Sequence, residues 1–98
     1  MRFEIRLARE AERQLLALPA YHRATVRAAL EAQLRHEPTR ASKSRIKRMR
    51  GLSRPQYRLR VDDFRVFYDV LEQEVQVLAI ISKAEAAEWL ADSGEAEP

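Results

Sequence analysis

The sequence predicts an α+β domain: one mainly antiparallel sheet with helices over one of its faces. Three observations carry this. Residues 57–81 hold three apolar-rich stretches separated by gaps of two and three residues, the pattern of a β-meander. Residues 7–36 instead repeat their apolar side chains every three or four positions, which is helical. Ser82-Lys83-Ala84-Glu85 has the form of a capping box and opens a last short helix.

The elements follow in order. Phe3, Ile5 and Leu7 alternate with Arg2, Glu4 and Arg6, so the chain starts in a half-buried strand. Leu7, Ala11, Leu15 and Leu18 then line one helical face, and Pro19 ends that helix. A second helix over residues 20–36 carries Val26, Leu30 and Leu34 on its apolar row, and Pro38 closes it. The tight joint between the two predicts an antiparallel helical hairpin. Residues 38–45 lack apolar periodicity and read as a loop. Residues 46–50 form a short strand stopped at Gly51, and Ser53-Arg54-Pro55 reads as a turn. The meander strands are residues 57–61, 64–71 and 75–81. The last helix runs through Trp89 and Leu90. One domain over residues 1–91 and a frayed acidic tail over 92–98 are expected.

Composition removes several classes of function. At 98 residues the chain supports about one core. Hydrophobic residues make up 46% and charged residues 34%, which suits a small folded core and not disorder. There is no Cys, so disulfides, thiolate metal sites and cysteine nucleophiles are excluded together. Two histidines make a histidine-rich zinc site improbable, and no glycine-rich phosphate loop exists among two glycines. The apolar run Val77–Ile81 is far shorter than the roughly 18 residues of a membrane helix. Charges at Arg2, Glu4 and Arg6 sit where a signal peptide would be apolar. A cytoplasmic protein with no membrane partner, no cofactor and no metal is the expectation.

Charge is distributed unevenly. Residues 38–68 hold 10 basic and 2 acidic side chains, a net +8, and residues 69–98 hold 1 basic and 8 acidic, a net −7. A basic stretch of that density attracts phosphates or an acidic protein.

The meander places these charges. If Asp62-Asp63 is a two-residue turn, Arg60 stands opposite Arg65, Arg58 opposite Phe67 and Tyr57 opposite Tyr68. Arg58, Arg60 and Arg65 then share one face of the sheet, the one left partly open by the helical hairpin. Like charges placed directly opposite one another destabilise a sheet, so three clustered arginines point to an anion site, most simply for phosphate. Lys43, Lys47, Arg48 and Arg50, just before this hairpin, form a run that would track a nucleic-acid backbone without reading its sequence.

The fragments Ile46-Lys47-Arg48-Met49-Arg50-Gly51 and Tyr57-Arg58-Leu59-Arg60-Val61-Asp62-Asp63-Phe64-Arg65-Val66-Phe67-Tyr68 resemble the RelE/ParE superfamily of type II toxins. That superfamily shows a basic strand ending in Gly, a Tyr-Arg-x-Arg strand, a tight turn and an aromatic-Arg strand. The resemblance extends to about Leu90 and implies the RelE-like arrangement: N-terminal strand, helical hairpin, antiparallel meander, short C-terminal helix. RelE-like members cleave messenger RNA on the ribosome, and ParE-like members inhibit DNA gyrase.

The resemblance to the nucleases implies that Arg58, Arg60 and Arg65 bind and polarise the scissile phosphate. A further Arg and a Tyr of those nucleases align with Ala84 and Leu90, and Lys83, one residue away, is the candidate replacement for the Arg. The implied activity is a metal-independent endoribonuclease that blocks translation. The alternatives are a gyrase inhibitor or a non-catalytic antitoxin-binding member. The implied partners are a cognate antitoxin, in a toxin–antitoxin hetero-oligomer, and the ribosome with its message, or DNA gyrase in the alternative.

Overall fold

A computed structural model describes all 98 residues. The chain begins with β1 (Glu4–Leu7), α1 (Arg9–Ala17), α2 (Ala20–Leu34), β2 (Ile46–Arg48) and β3 (Leu52–Arg54). It continues with β4 (Tyr57–Val61), β5 (Phe64–Leu71), β6 (Glu74–Ser82), a 3-10 turn (Lys83–Glu85), α3 (Ala86–Ser93) and β7 (Glu95–Ala96). The main sheet has the order β1-β6-β5-β4-β2. Its strands are antiparallel except for β1, which lies parallel to β6. The expected α+β architecture is therefore present, except that helices cover both faces, because α3 packs on the face expected to stay open.

The helical hairpin packs on one face because both surfaces carry matching apolar rows. Ala11, Leu15, Val26, Leu30 and Leu34 meet Ile46, Leu59, Val61, Val66, Tyr68, Val75, Val77 and Ile80 in one core. Tyr68 is fully buried there, and its hydroxyl donates to the carbonyl of Pro38 at 2.6 Å, which satisfies the one polar atom the ring brings inside. The start of β1 is clasped to the end of α2: Phe3 N–H donates to Arg35 O, and the Arg35 guanidinium donates back to Phe3 O. No helix is long and apolar enough to cross a membrane.

A register shift in β6 decides what the second face holds. Phe67 pairs with Ala79 and Tyr68 with Val77, so Leu78 is the extra residue. Val75 and Val77 point into the main core, yet after the shift it is Ile80 that does, while Ala79 and Ile81 turn to the opposite face. The Gln14 side-chain carbonyl on α1 accepts the N–H of Ile80 at 2.7 Å just past this irregularity. On the second face Phe67, Ala79 and Ile81 form a small core under Ala86, Trp89 and Leu90 of α3. The Phe67 and Trp89 rings stack with centroids 5.0 Å apart.

Two local expectations are corrected. Residues 52–54 are a strand, and the turn starts at the cis Arg54–Pro55 peptide. The C-terminal residues expected to fray instead return as β7 and pair antiparallel with β3. Gly94 makes the return possible, because a Cβ there would lie 2.5 Å from Leu90 O. The chain can then leave α3 tightly and satisfy the free edge of β3.

Candidate nucleic-acid interface

The β4–β5 ladder has the register its residues imply. Arg60 stands opposite Arg65, Arg58 opposite Phe67 and Tyr57 opposite Tyr68. On the other side of β4, Lys47 of β2 is the partner of Arg58. A row Lys47–Arg58–Phe67 therefore crosses three strands on one face. Beside it, at the turn end of the sheet, runs the row Arg60–Arg65.

Lys83 joins this end through β6. Phe64 pairs with Ser82, and the Lys83 N–H donates to Asp63 O at 2.7 Å. The exposed Lys83 thus follows directly from the strand that flanks Arg65. Its helical start is fixed by Glu85, whose Oε1 accepts from both the N–H and the hydroxyl of Ser82. That carboxylate is engaged as a cap, as the sequence motif implies.

The arginines differ in what they can do. Arg65 is only 7% exposed, and its Nη1 donates to the carbonyls of Asp62 and Phe64 at 3.0 and 2.9 Å. It ties down the turn in which Asp62 takes a φ of +50°, a conformation that Asp tolerates better than most residues. Burial, followed by the nearby Arg58 and Arg60, lowers the Arg65 pKa from the usual guanidinium value. Arg60 is exposed. Arg58 is half-buried, and its Nε is buried with no protein acceptor. The sequence presents the three as equivalent. The structure makes Arg65 a turn staple as well as a charge and leaves Arg58 and Arg60 with unused donors.

The preceding basic run divides. Lys47 faces the arginines through its pairing with Arg58. Arg48 pairs with Tyr57, lies over that ring at 5.4 Å and donates to the Gln56 and Met49 carbonyls. It belongs to the opposite side, where Tyr57 stacks on Tyr68. Lys43 and Arg50 are exposed in the flanking loops. Arg60 and Arg45 also border a surface groove of about 450 Å³, shared with Thr25, Gln33 and Ser44.

Asp69 is the carboxylate that the arginines of this region meet, and the partner is Arg54. Asp69 of β5 sits beside Arg54 at 3.2 Å and accepts the Gln56 N–H at 2.8 Å. Burial raises its pKa above the usual Asp value, against the opposing pull of the Gln56 N–H and Arg54. Its partners lie 13 and 15 positions away in sequence, so no local motif marks it. Ala84 in the 3-10 turn and Leu90 in α3 have aliphatic side chains, so neither supplies a proton-transfer group. No cluster of three His, Asp or Glu side chains is placed to hold a metal ion.

Comparison with known proteins gives consistent results. Residues 5–87 match the family described as the ParE toxin of type II toxin–antitoxin system, parDE. No curated protein sequence matches the chain. Among solved structures, the RelBE2 toxin–antitoxin complex from Mycobacterium tuberculosis has a chain similar at a TM-score of 0.66 and 23% identity, over 84% of this chain and 99% of that one. The archaeal RelE–RelB complex from Pyrococcus horikoshii OT3 gives 0.63 and 24%, over 85% and 97%. The RelB–RelE complex from Methanococcus jannaschii gives 0.65 and 17%, over 85% and 95%. At these identities the three structures establish a shared fold.

Proposed function

Since this chain belongs to the ParE toxin family of type II toxin–antitoxin systems, we propose that its toxic activity is ribosome-dependent cleavage of messenger RNA. The scissile phosphate would lie on the basic face built by β2, β4 and β5. Arg58 carries the reading. Its Nε is buried without a protein acceptor, in a row between Lys47 and Phe67. Burying a donor unpaired costs about 1–3 kcal/mol. The half-buried guanidinium makes no hydrogen bond inside the protein, and its remaining donors can meet a phosphate in one plane.

The roles divide by position. Arg58 and Lys47 hold the phosphate, and Arg60 and Lys83 approach it from the turn end. Arg65 keeps the turn in place and adds positive potential from below. In the reaction the ribose 2′-oxygen attacks phosphorus, a new P–O bond forms, and the bond to the 5′-oxygen breaks. The products are a cyclic phosphate and a free 5′-hydroxyl. The proton lost from the 2′-hydroxyl is balanced by the one gained by the leaving oxygen. The cations stabilise the charge that builds up on the phosphorane. Guanidiniums hold their protons too tightly to act as good bases. Glu85 is held by its cap. Lys83 is therefore the chain's own candidate for proton transfer, and the ribosome supplies the alignment.

A second reading has its own support. Arg65 and Glu85 are both committed to backbone or cap hydrogen bonds, and Ala84 and Leu90 stand where the resembling nucleases carry Arg and Tyr. A face with cations and no evident base suits a toxin that binds DNA gyrase without cutting RNA. Under either reading a cognate antitoxin is the partner in a hetero-oligomer, because the proteins that share this fold were solved as toxin–antitoxin complexes. An antitoxin segment with an acidic face fits the basic middle of the chain.

Toeprinting of a defined message on purified ribosomes tests the first reading. The wild type should cut, and Arg58→Ala should cut tenfold to hundredfold less, on the order of one lost charge-assisted contact. Absence of cutting by the wild type, together with inhibited supercoiling by gyrase, establishes the second.

A further inference from the structure

The acidic end of the chain lies on the basic ribbon. β7 pairs with β3 in the register Leu52↔Ala96 and Arg54↔Glu95. The Ser53 hydroxyl donates to Glu95 O at 3.2 Å, and the Glu97 N–H donates to Gly51 O at 3.1 Å. The Glu97 carboxylate comes within 4.0 Å of the Arg48 guanidinium. Arg54, paired across the strand with Glu95, also meets Asp69. These contacts fall on the segment that carries Arg48, Arg50 and Arg54, part of the net +8 stretch.

We propose that the C-terminal segment over residues 94–98 is a cis-acting cover that competes with polyanions for the Arg48–Arg54 ribbon. It is built to yield. β7 is two residues long, and Glu95 and Glu97 are exposed. Exposed ion pairs contribute at most about 1 kcal/mol each and weaken with salt. A strand this short opens without disturbing the main sheet. A phosphate chain that reaches the ribbon exchanges scattered carboxylates for a continuous row of anions and releases Arg48 from Glu97, while Arg54 keeps its pair with Asp69. The segment lies beyond the family-matched residues 5–87.

That the polyanion on this ribbon is a nucleic acid rests on the reading above, and the test separates the two. The probes are a heparin oligosaccharide and a short polyuridylate, titrated against the full chain and against Glu95→Gln/Glu97→Gln, with circular dichroism confirming that both are folded. The variant should bind heparin about 3- to 10-fold more tightly at about 50 mM salt, with a steeper salt dependence, and the two should converge at high salt. In the wild type, the amide of Glu97 should exchange faster once heparin is bound. Equal heparin affinity, or Glu97 protection unchanged by saturating heparin, overturns the cover. Tighter heparin binding by the variant with no polyuridylate binding by either protein sustains the cover and overturns RNA as the ligand of this face.

Discussion

Gln56 and Asp69 hold each other from both sides where β4 leaves the ladder. The Asp69 carboxylate accepts the Gln56 N–H at 2.8 Å, and the Gln56 side-chain carbonyl accepts the N–H of Val70 at 2.9 Å. Two side chains thus replace the backbone pairing one step beyond Tyr57↔Tyr68. The arrangement fixes the cis Arg54–Pro55 corner to the centre of the sheet and sets the ribbon of β3 beside the basic face.

This clasp predicts an unusual pH dependence. Asp69 has a pKa raised by burial, so the folded state binds its proton more tightly than the unfolded state does. Its ionisation therefore costs stability, and that cost is absent below the ordinary Asp pKa and complete above the raised one. Asp69→Asn keeps an acceptor for the Gln56 N–H and removes the charge. Urea unfolding from about pH 3 to 7 should show the wild type losing stability relative to Asp69→Asn as pH rises through the acid range. Asp69→Ala, which orphans the Gln56 N–H, should lose about 1–3 kcal/mol at every pH. A wild type that gains on Asp69→Asn with rising pH would show that the Arg54 pair outweighs burial.

Arg60 and Arg65 should separate in stability. The buried Arg65 serves two turn carbonyls, so Arg65→Ala should cost about 1–3 kcal/mol. Arg60→Ala removes an exposed side chain opposite a like charge and should change stability by less than about 0.5 kcal/mol. Thermal unfolding of both checks this. Equal effects would mean that Arg65 acts through its charge alone.

Trp89 is the chain's single tryptophan and the anchor of α3 on Phe67. Trp89→Ala should cost about 2 kcal/mol or more by opening the small second core, and Trp89→Phe should recover most of it because an aromatic ring can still stack on Phe67. Chemical denaturation followed by circular dichroism reads both. A neutral Trp89→Ala would show that α3 adds nothing to the fold.

Lys83 separates a catalytic cation from an ordinary surface lysine. Its side chain is exposed at the start of a capped turn, so Lys83→Ala should leave the unfolding midpoint unchanged while lowering cut yield in the toeprint by tenfold or more. Lys83→Arg should restore binding of the message without restoring cleavage if the residue transfers a proton, and should restore both if it only supplies charge. Equal yields for Lys83→Ala and wild type would remove Lys83 from the site.

Local pattern carried much of the fold. Period two at Phe3–Leu7 and across the meander, the four-residue steps through Ala11 and Leu15, and the Ser82–Glu85 cap are each legible within a few residues, and each element is present. The register of β4 against β5 was also readable, because a two-residue turn at Asp62-Asp63 leaves only one pairing that puts Leu59 and Val66 inside together. That register brought Arg65 onto the face that Arg58 and Arg60 share by alternation along β4. The sequence by itself thus determined the elements other than β3 and β7, and the central hairpin that carries Arg58, Arg60 and Arg65.

Tertiary structure decided the rest, because the deciding contacts join residues far apart in the chain. The parallel pairing of β1 with β6 spans some seventy residues, as in Ile5↔Val75. The irregularity at Leu78 exchanges the inward and outward sets in a run that is apolar throughout, where side-chain type cannot reveal the phase. Arg65 looks like Arg60 in sequence, yet its position between two strands, over the turn carbonyls, buries it. Lys47 turns toward Arg58 and Arg48 away from it, because β2 docks on β4 in one register and side chains alternate across a strand. The acidic C-terminus folds back as β7 because only the assembled protein offers it the free edge of β3 with arginines alongside.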